Sequence, residues 1–191
     1  TSIDNKYKLT AEELESALTP TTSLFIFSSP CNPSGSVYTK DELAALAEVF
    51  RKYPNVFIIS DEIYEYINFV GKHESIAQFD DLKDRIIIIN GLSKGYAMTG
   101  YRLGYIAAHP DVIKACEKLQ GQYTSGTNAV TQRGAIAALT GDLAPSIEMN
   151  KEFGRRRERM LGLLKAIPGI QIAEPDGAFY VFPVVTAYFG K

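Results

Sequence analysis

The stretch VFIISDEIY, residues 56–64, decides how the rest of the chain is read. Its first five residues are apolar or small, rich in β-favouring types, and do not alternate with polar ones. A strand of that kind is expected to be buried on both faces, as in a parallel sheet, and a carboxylate and a phenol follow directly at Asp61 and Tyr64. Two further runs have the same character: SLFIF at 23–27 and RIIIIN at 85–90. Between the first two runs, Thr39-x-x-Glu42 forms a capping-box pattern, with Leu43, Leu46, Ala47 and Phe50 at helical spacing behind it. That helix should end near Tyr53, before Pro54 and Asn55. Strand, helix and strand in this order predict an α/β fold with a largely parallel sheet flanked by helices.

Further along the chain, residues 102–107 read as a fourth strand. Pro110 suits the first turn of a helix that carries Ile113, Cys116 and Leu119 on one face. Residues 128–139 read as an Ala-rich helix expected to be well packed, and 143–166 as a long charged helix ended by Pro168 and Gly169. Short strands are expected at 170–172 and 178–183. The long helix followed by a new strand pair predicts a crossing into a second, smaller unit near residue 145.

Composition narrows the function. Among 191 residues, 20 Lys and Arg face 22 Asp and Glu, a net charge of −2, so no overall basic field draws nucleic acid or anionic lipid. The run Arg155-Arg156-Arg157-Glu158-Arg159 reads as the solvated face of a helix. The longest apolar candidate, 86–89, is strand-sized and far short of a membrane span. No nucleic-acid or membrane partner is expected. Cys31 and Cys116 lie far apart, and neither His73 nor His109 lies near a cysteine, so no metal site is expected. Both cysteines are read as small buried hydrophobes of a reducing, cytoplasmic protein. The opening TSIDNKYKLT and the closing PVVTAYFGK read as the interior of a longer chain.

Open parallel sheets bind ligands beyond the carboxyl ends of their strands. There the three runs deliver Asn32, then Asp61 with Tyr64, then Ser93 with Lys94; Arg102 lies eight residues past Lys94. A lysine that forms a Schiff base needs a site that frees its nitrogen. A neighbouring carboxylate can keep a heteroaromatic nitrogen protonated, and an arginine can grip a phosphate with two bonds. Taken singly, each residue has an ordinary reading: Lys94 as surface, Asp61 as a turn cap, Pro33 and Gly35 as turn formers. Cys31 has no base beside it and is given no nucleophilic role.

NPSG (32–35), DEIY (61–64), SKGYAMTGYRLGY (93–105) and GAFYVFP (177–183) stand in one order along almost the whole chain. In these motifs the sequence resembles the fold-type I, class I/II aminotransferases dependent on pyridoxal 5′-phosphate, with most likeness to the bacterial aspartate aminotransferases. The resemblance implies that Lys94 forms the Schiff base with the cofactor and moves the substrate proton. It implies that Asp61 pairs with the pyridinium nitrogen, that Tyr64 and Asn32 hydrogen-bond the ring's phenolic oxygen, and that Ile63 packs beneath the ring. Arg102, with Ser93, would bind the phosphate. Gly91 departs from the pattern, since the family often has Ser three residues before the lysine. Residues 1–144 would then be part of the large cofactor domain, and 145–191 the connecting helix and the start of a small α+β domain. The expected reaction is transamination of aspartate or an aromatic amino acid with a 2-oxo acid, in a homodimer; residues 123–126 would either border its interface or simply join two helices as a loop. A C–S lyase or other elimination enzyme of the same fold remains open, as does an inactive fragment or a ligand-sensing regulatory domain. The phosphate loop and the ring-stacking aromatic would precede Thr1, and the arginine for the substrate carboxylate would follow Lys191.

Overall fold

A computed structural model describes residues 1–190. A short helix α1 (Ala11–Ala17) precedes strand β1 (Leu24–Ser28); helix α2 (Lys40–Lys52) leads to β2 (Phe57–Asp61), and β3 (Ile86–Gly91) and β4 (Gly104–Ala107) follow. Helices α3 (Pro110–Tyr123), α4 (Ala129–Thr140) and α5 (Ala144–Lys165) come next, and then the short strands β5 (Gln171–Ile172) and β6 (Pro183–Val184). The main sheet has the order β1-β2-β3-β4. β1 and β2 are parallel, with Ser28 opposite Asp61, and β2 and β3 are parallel, with Asp61 opposite Ile89. β4 is antiparallel to β3, with Gly91 opposite Gly104. Three consecutive strands therefore end at one edge.

Helix α2 starts where its sequence signal lies: the Thr39 side chain accepts from Glu42 N–H while the Glu42 carboxylate accepts from Thr39 N–H. Its apolar face places Leu43, Leu46, Ala47 and Phe50 on Phe25, Phe27, Ile58, Ile86 and Ile88. Phe50 is fully buried, 5.3 Å from the Phe25 ring. Arg85 closes the far end, donating to the carbonyls of Phe50, Tyr53 and Val56 at 2.6, 3.0 and 2.8 Å. Phe50→Ala is expected to cost about 3–5 kcal/mol in denaturant unfolding, because the rigid sheet beneath cannot close the hole. A loss under about 1 kcal/mol would show that the site collapses instead.

Several expectations are corrected. The sheet is not buried on both faces: Leu24, Ile26 and Phe57 are 45, 63 and 41% exposed. The elements in this chain cover only the face that meets α1 and α2. Helix α4 is not well packed, since only Thr131 and Ala135 are buried while Val130, Ile136 and Leu139 stand open. Helix α3 has no buried residue: on its apolar stripe Ile113 is half-buried, while Cys116 and Leu119 are exposed. Cys116 is exposed and Cys31 half-buried, not the buried hydrophobes expected. Most of 178–183 is not strand, because Ala178 takes a left-handed conformation (φ +56°) and pairing begins only at Pro183. None of the described helices is long and apolar enough to cross a membrane. Arg155 and Arg156 both pair with Glu152 on an exposed helix face, but Arg157 departs from the solvated reading: its side chain is largely buried and donates to Pro175 O at 2.6 Å.

One seam ties distant parts of the chain together. The Gly35 carbonyl accepts from the N–H groups of Asp176 and Gly177, both at 2.8 Å, and Ala178 N–H donates to Ile67 O at 2.7 Å. Lys6 adds an ion pair to Asp176 at 2.8 Å. The approach requires glycine on both sides. A Cβ on Gly35 (φ +70°) would lie 2.2 Å from the Pro175 Cβ, and one on Gly177 would lie 2.8 Å from both Ile67 O and the Pro30 Cβ.

Candidate active site

Asp61 is the last residue of β2, where the parallel register sets it between Ser28 and Ile89. Its Oδ1 accepts from Ile63 N–H at 3.1 Å, which bends the chain off the strand; its other oxygen has no hydrogen-bond partner among the described residues. Tyr64 follows one turn later and is buried, its ring edge-on to Phe179 and Tyr180 with centroids 5.3 and 5.7 Å away. Burial first, and then the contact with the Tyr180 hydroxyl, hold the Tyr64 phenol above the ordinary tyrosine pKa, so it is a neutral hydroxyl.

Lys94 lies in the turn that leaves β3, fixed by Ala97 N–H to Lys94 O and Met98 N–H to Leu92 O, both 3.1 Å. Its ammonium sits 5.9 Å from the Tyr64 ring centroid and 5.6 Å from that of Phe179. Among the described residues no carboxylate forms an ion pair with it. The glycines around it are required by space. A Cβ on Gly95 would come 2.6 Å from Tyr66, and one on Gly91 would come 2.9 Å from Leu103 O and 3.1 Å from the Ile63 Cδ1. The departure at Gly91 therefore has a local reason: β4 and Ile63 close over that position.

Asp61, Tyr64, Ile63 and Lys94 thus converge where β2 and β3 end. Among the described residues, the side chains of Asn32, Ser93 and Arg102 make no hydrogen bond or ion pair to Asp61, Tyr64 or Lys94. Asn32 is exposed in the loop after β1, beside turns in which Gly35 N–H bonds Cys31 O at 2.8 Å and Cys31 N–H bonds Ser36 O at 2.9 Å. Ser93 is half-buried next to Lys94. Arg102 has a left-handed backbone (φ +52°), so β4 starts two residues later than its sequence suggests, and its exposed guanidinium donates to Thr99 O at 3.0 Å.

Two features escaped the sequence reading. Phe179 and Tyr180 were seen only as part of a motif, and no periodicity marks them as neighbours of Tyr64. Beside Asp61, the buried Glu62 carboxylate accepts from Ser60 at 3.0 Å and from Ser75 at 2.6 Å, and lies 2.9 Å from the His73 Nε2. This network fastens the 73–75 loop to the end of β2. A cavity of about 610 Å³ between α5 and residues 175–183 shares Phe179 and Tyr180 with the site, and Phe153, Met160 and Leu164 are among its other lining residues.

The chain is similar to several aminotransferases. An aspartate aminotransferase of Bacillus subtilis is 44% identical over 182 residues, covering 94% of this chain and 46% of that protein. An aspartate/prephenate aminotransferase of Nitrosomonas europaea is 42% identical, covering 95% and 46%. The crystal structure of the aspartate aminotransferase from Rhizobium meliloti superposes with a TM-score of 0.93 at 38% identity, covering 96% of this chain and 46% of that one. An aromatic aminotransferase from Pyrococcus horikoshii gives 0.91 at 36%, covering 97% and 50%. The chain spans about half the length of the curated relatives it matches. A match to the family described as aminotransferase class I and II extends over residues 1–189, and the chain belongs to that family.

Proposed function

We propose that the full-length protein carrying this chain is a pyridoxal-phosphate-dependent aminotransferase that exchanges an amino group between aspartate or an aromatic amino acid and a 2-oxo acid. The observation that carries this reading is the meeting of Asp61, Tyr64 and Lys94 at the ends of two neighbouring parallel strands. The donor set fits the cofactor: among the described residues, a lysine nitrogen without a carboxylate partner, a carboxylate with one oxygen unpaired, and a neutral phenol beside the lysine. Bound pyridoxal phosphate would supply an electron sink for charge developing on the substrate α-carbon.

In this reading Lys94 anchors the cofactor covalently and carries the proton to and from the α-carbon. Asp61 holds the ring N–H, and Tyr64 with Asn32 holds the phenolic oxygen. Ile63 packs against the ring, and Arg102 with Ser93 binds the phosphate. Residues 1–144 belong to the cofactor domain, and α5 begins the passage into a smaller domain. The names of the relatives favour aspartate or prephenate as substrates, a homodimer is the proposed assembly, and the cytoplasm the proposed compartment. The test incubates the full-length protein with aspartate and 2-oxoglutarate and follows oxaloacetate and glutamate. Equal amounts of the two are expected. Faster release of pyruvate from β-substituted amino acids than transamination would instead assign an elimination enzyme.

A further inference from the structure

The Tyr64 and Tyr180 hydroxyl oxygens lie 2.6 Å apart. Each phenol has one proton to donate, and its oxygen can accept as well. Tyr64 cannot turn away, because it is 4% exposed and wedged against two rings. Tyr180 is half-buried against the Tyr64 and Phe179 rings, and the backbone just before it is pinned by the bond from Ala178 N–H to Ile67 O and by the bridge between Asn68 and Gly177. The groups facing the Tyr64 phenol are therefore Tyr180, the Asp61 carboxylate and the Lys94 ammonium. Neither Asp61 nor Lys94 takes the Tyr64 proton in this arrangement.

We infer that Tyr180 is a positioning residue: its hydroxyl donates to the Tyr64 oxygen, so that the single Tyr64 proton is aimed into the site. The inference rests on the proposed function, in which the phenolic oxygen of pyridoxal phosphate receives that proton. A donor that is itself accepting a hydrogen bond is polarised and donates more strongly. Tyr180 thus lets a neutral tyrosine compensate the negative charge on the phenolic oxygen more fully. Less compensation leaves more charge beside the protonated nitrogen of the lysine–cofactor link and makes that nitrogen harder to deprotonate.

The experiment is a pH titration of the visible absorbance of the full-length protein loaded with pyridoxal phosphate. Tyr180→Phe keeps the ring and removes the donor, and it should raise the titration midpoint by about half a unit, the scale of one neutral hydrogen bond. With 3-fluorotyrosine at position 180, a stronger donor of nearly the same size, the midpoint should fall. In a Tyr64→Phe background, Tyr180→Phe should add no further shift. An unmoved midpoint, or the same shift in both backgrounds, overturns the inference; so does a lower unfolding temperature with no spectral change, which assigns Tyr180 to packing alone. If the unmodified protein shows no visible band, the proposed function fails first and the inference fails with it.

Discussion

Lys94→Ala in the full-length protein is expected to remove covalent cofactor attachment and to lower transamination by about 10⁴-fold, the upper range for a positioned acid–base group. The variant should fold. Lys94 is half-buried in a turn held by main-chain bonds, and its side chain lies over aromatic rings without a buried ion pair. Lys94→Arg keeps the charge but brings a group that does not give up its proton, so it should be as inactive as the alanine variant. Equal loss in both separates nucleophilicity from charge. Borohydride reduction of the unmodified protein with pyridoxal phosphate, followed by peptide mapping, then checks the attachment point directly. An adduct on another lysine, or on none, removes the core of the proposed function.

Asp61→Asn should lower the rate by about 10²–10³-fold, the range seen when one preorganised electrostatic partner is lost. Asparagine can keep the bond from Ile63 N–H, so the turn off β2 survives and the unfolding temperature should barely move. What it cannot supply is the negative charge that would hold a ring nitrogen protonated. Cofactor affinity should fall with the rate, and Asp61→Glu, which keeps the charge one methylene further out, should lose less than Asp61→Asn. Activity within a few-fold of the unmodified protein would show that Asp61 serves only as a turn cap.

The part of the site that lies on strands was legible because strand ends are legible. Runs such as 56–60 and 86–89 are short, apolar and bounded, so whatever follows them must sit at the sheet edge. The capping box at Thr39 was legible for a similar reason, with apolar residues at helical spacing behind it. The same box at Thr10 and Glu13 opens α1, but its helix is only seven residues long and buries only Leu14, too little to show a period. The open face of the sheet could not be read, since unalternating strands state what they can bury and not what is present to cover them. Tyr180 was hidden more deeply. It meets Tyr64 across a sequence separation of 116, through a left-handed Ala178 that no local pattern predicts.

The seam between Gly35 and Gly177 also sets a timetable for synthesis. At roughly 5–20 residues per second, the loop that bears Asn32 leaves the ribosome on the order of ten seconds before the residues that lock it. Through that interval β1, α2 and β2 can already pair, while the Gly35 carbonyl and the Tyr64 ring still wait for partners that have not been made. The edge that carries the candidate site therefore stays unlocked until residues 175–180 arrive. A nascent chain halted before them should carry a formed sheet whose 32–35 loop is still open to proteases.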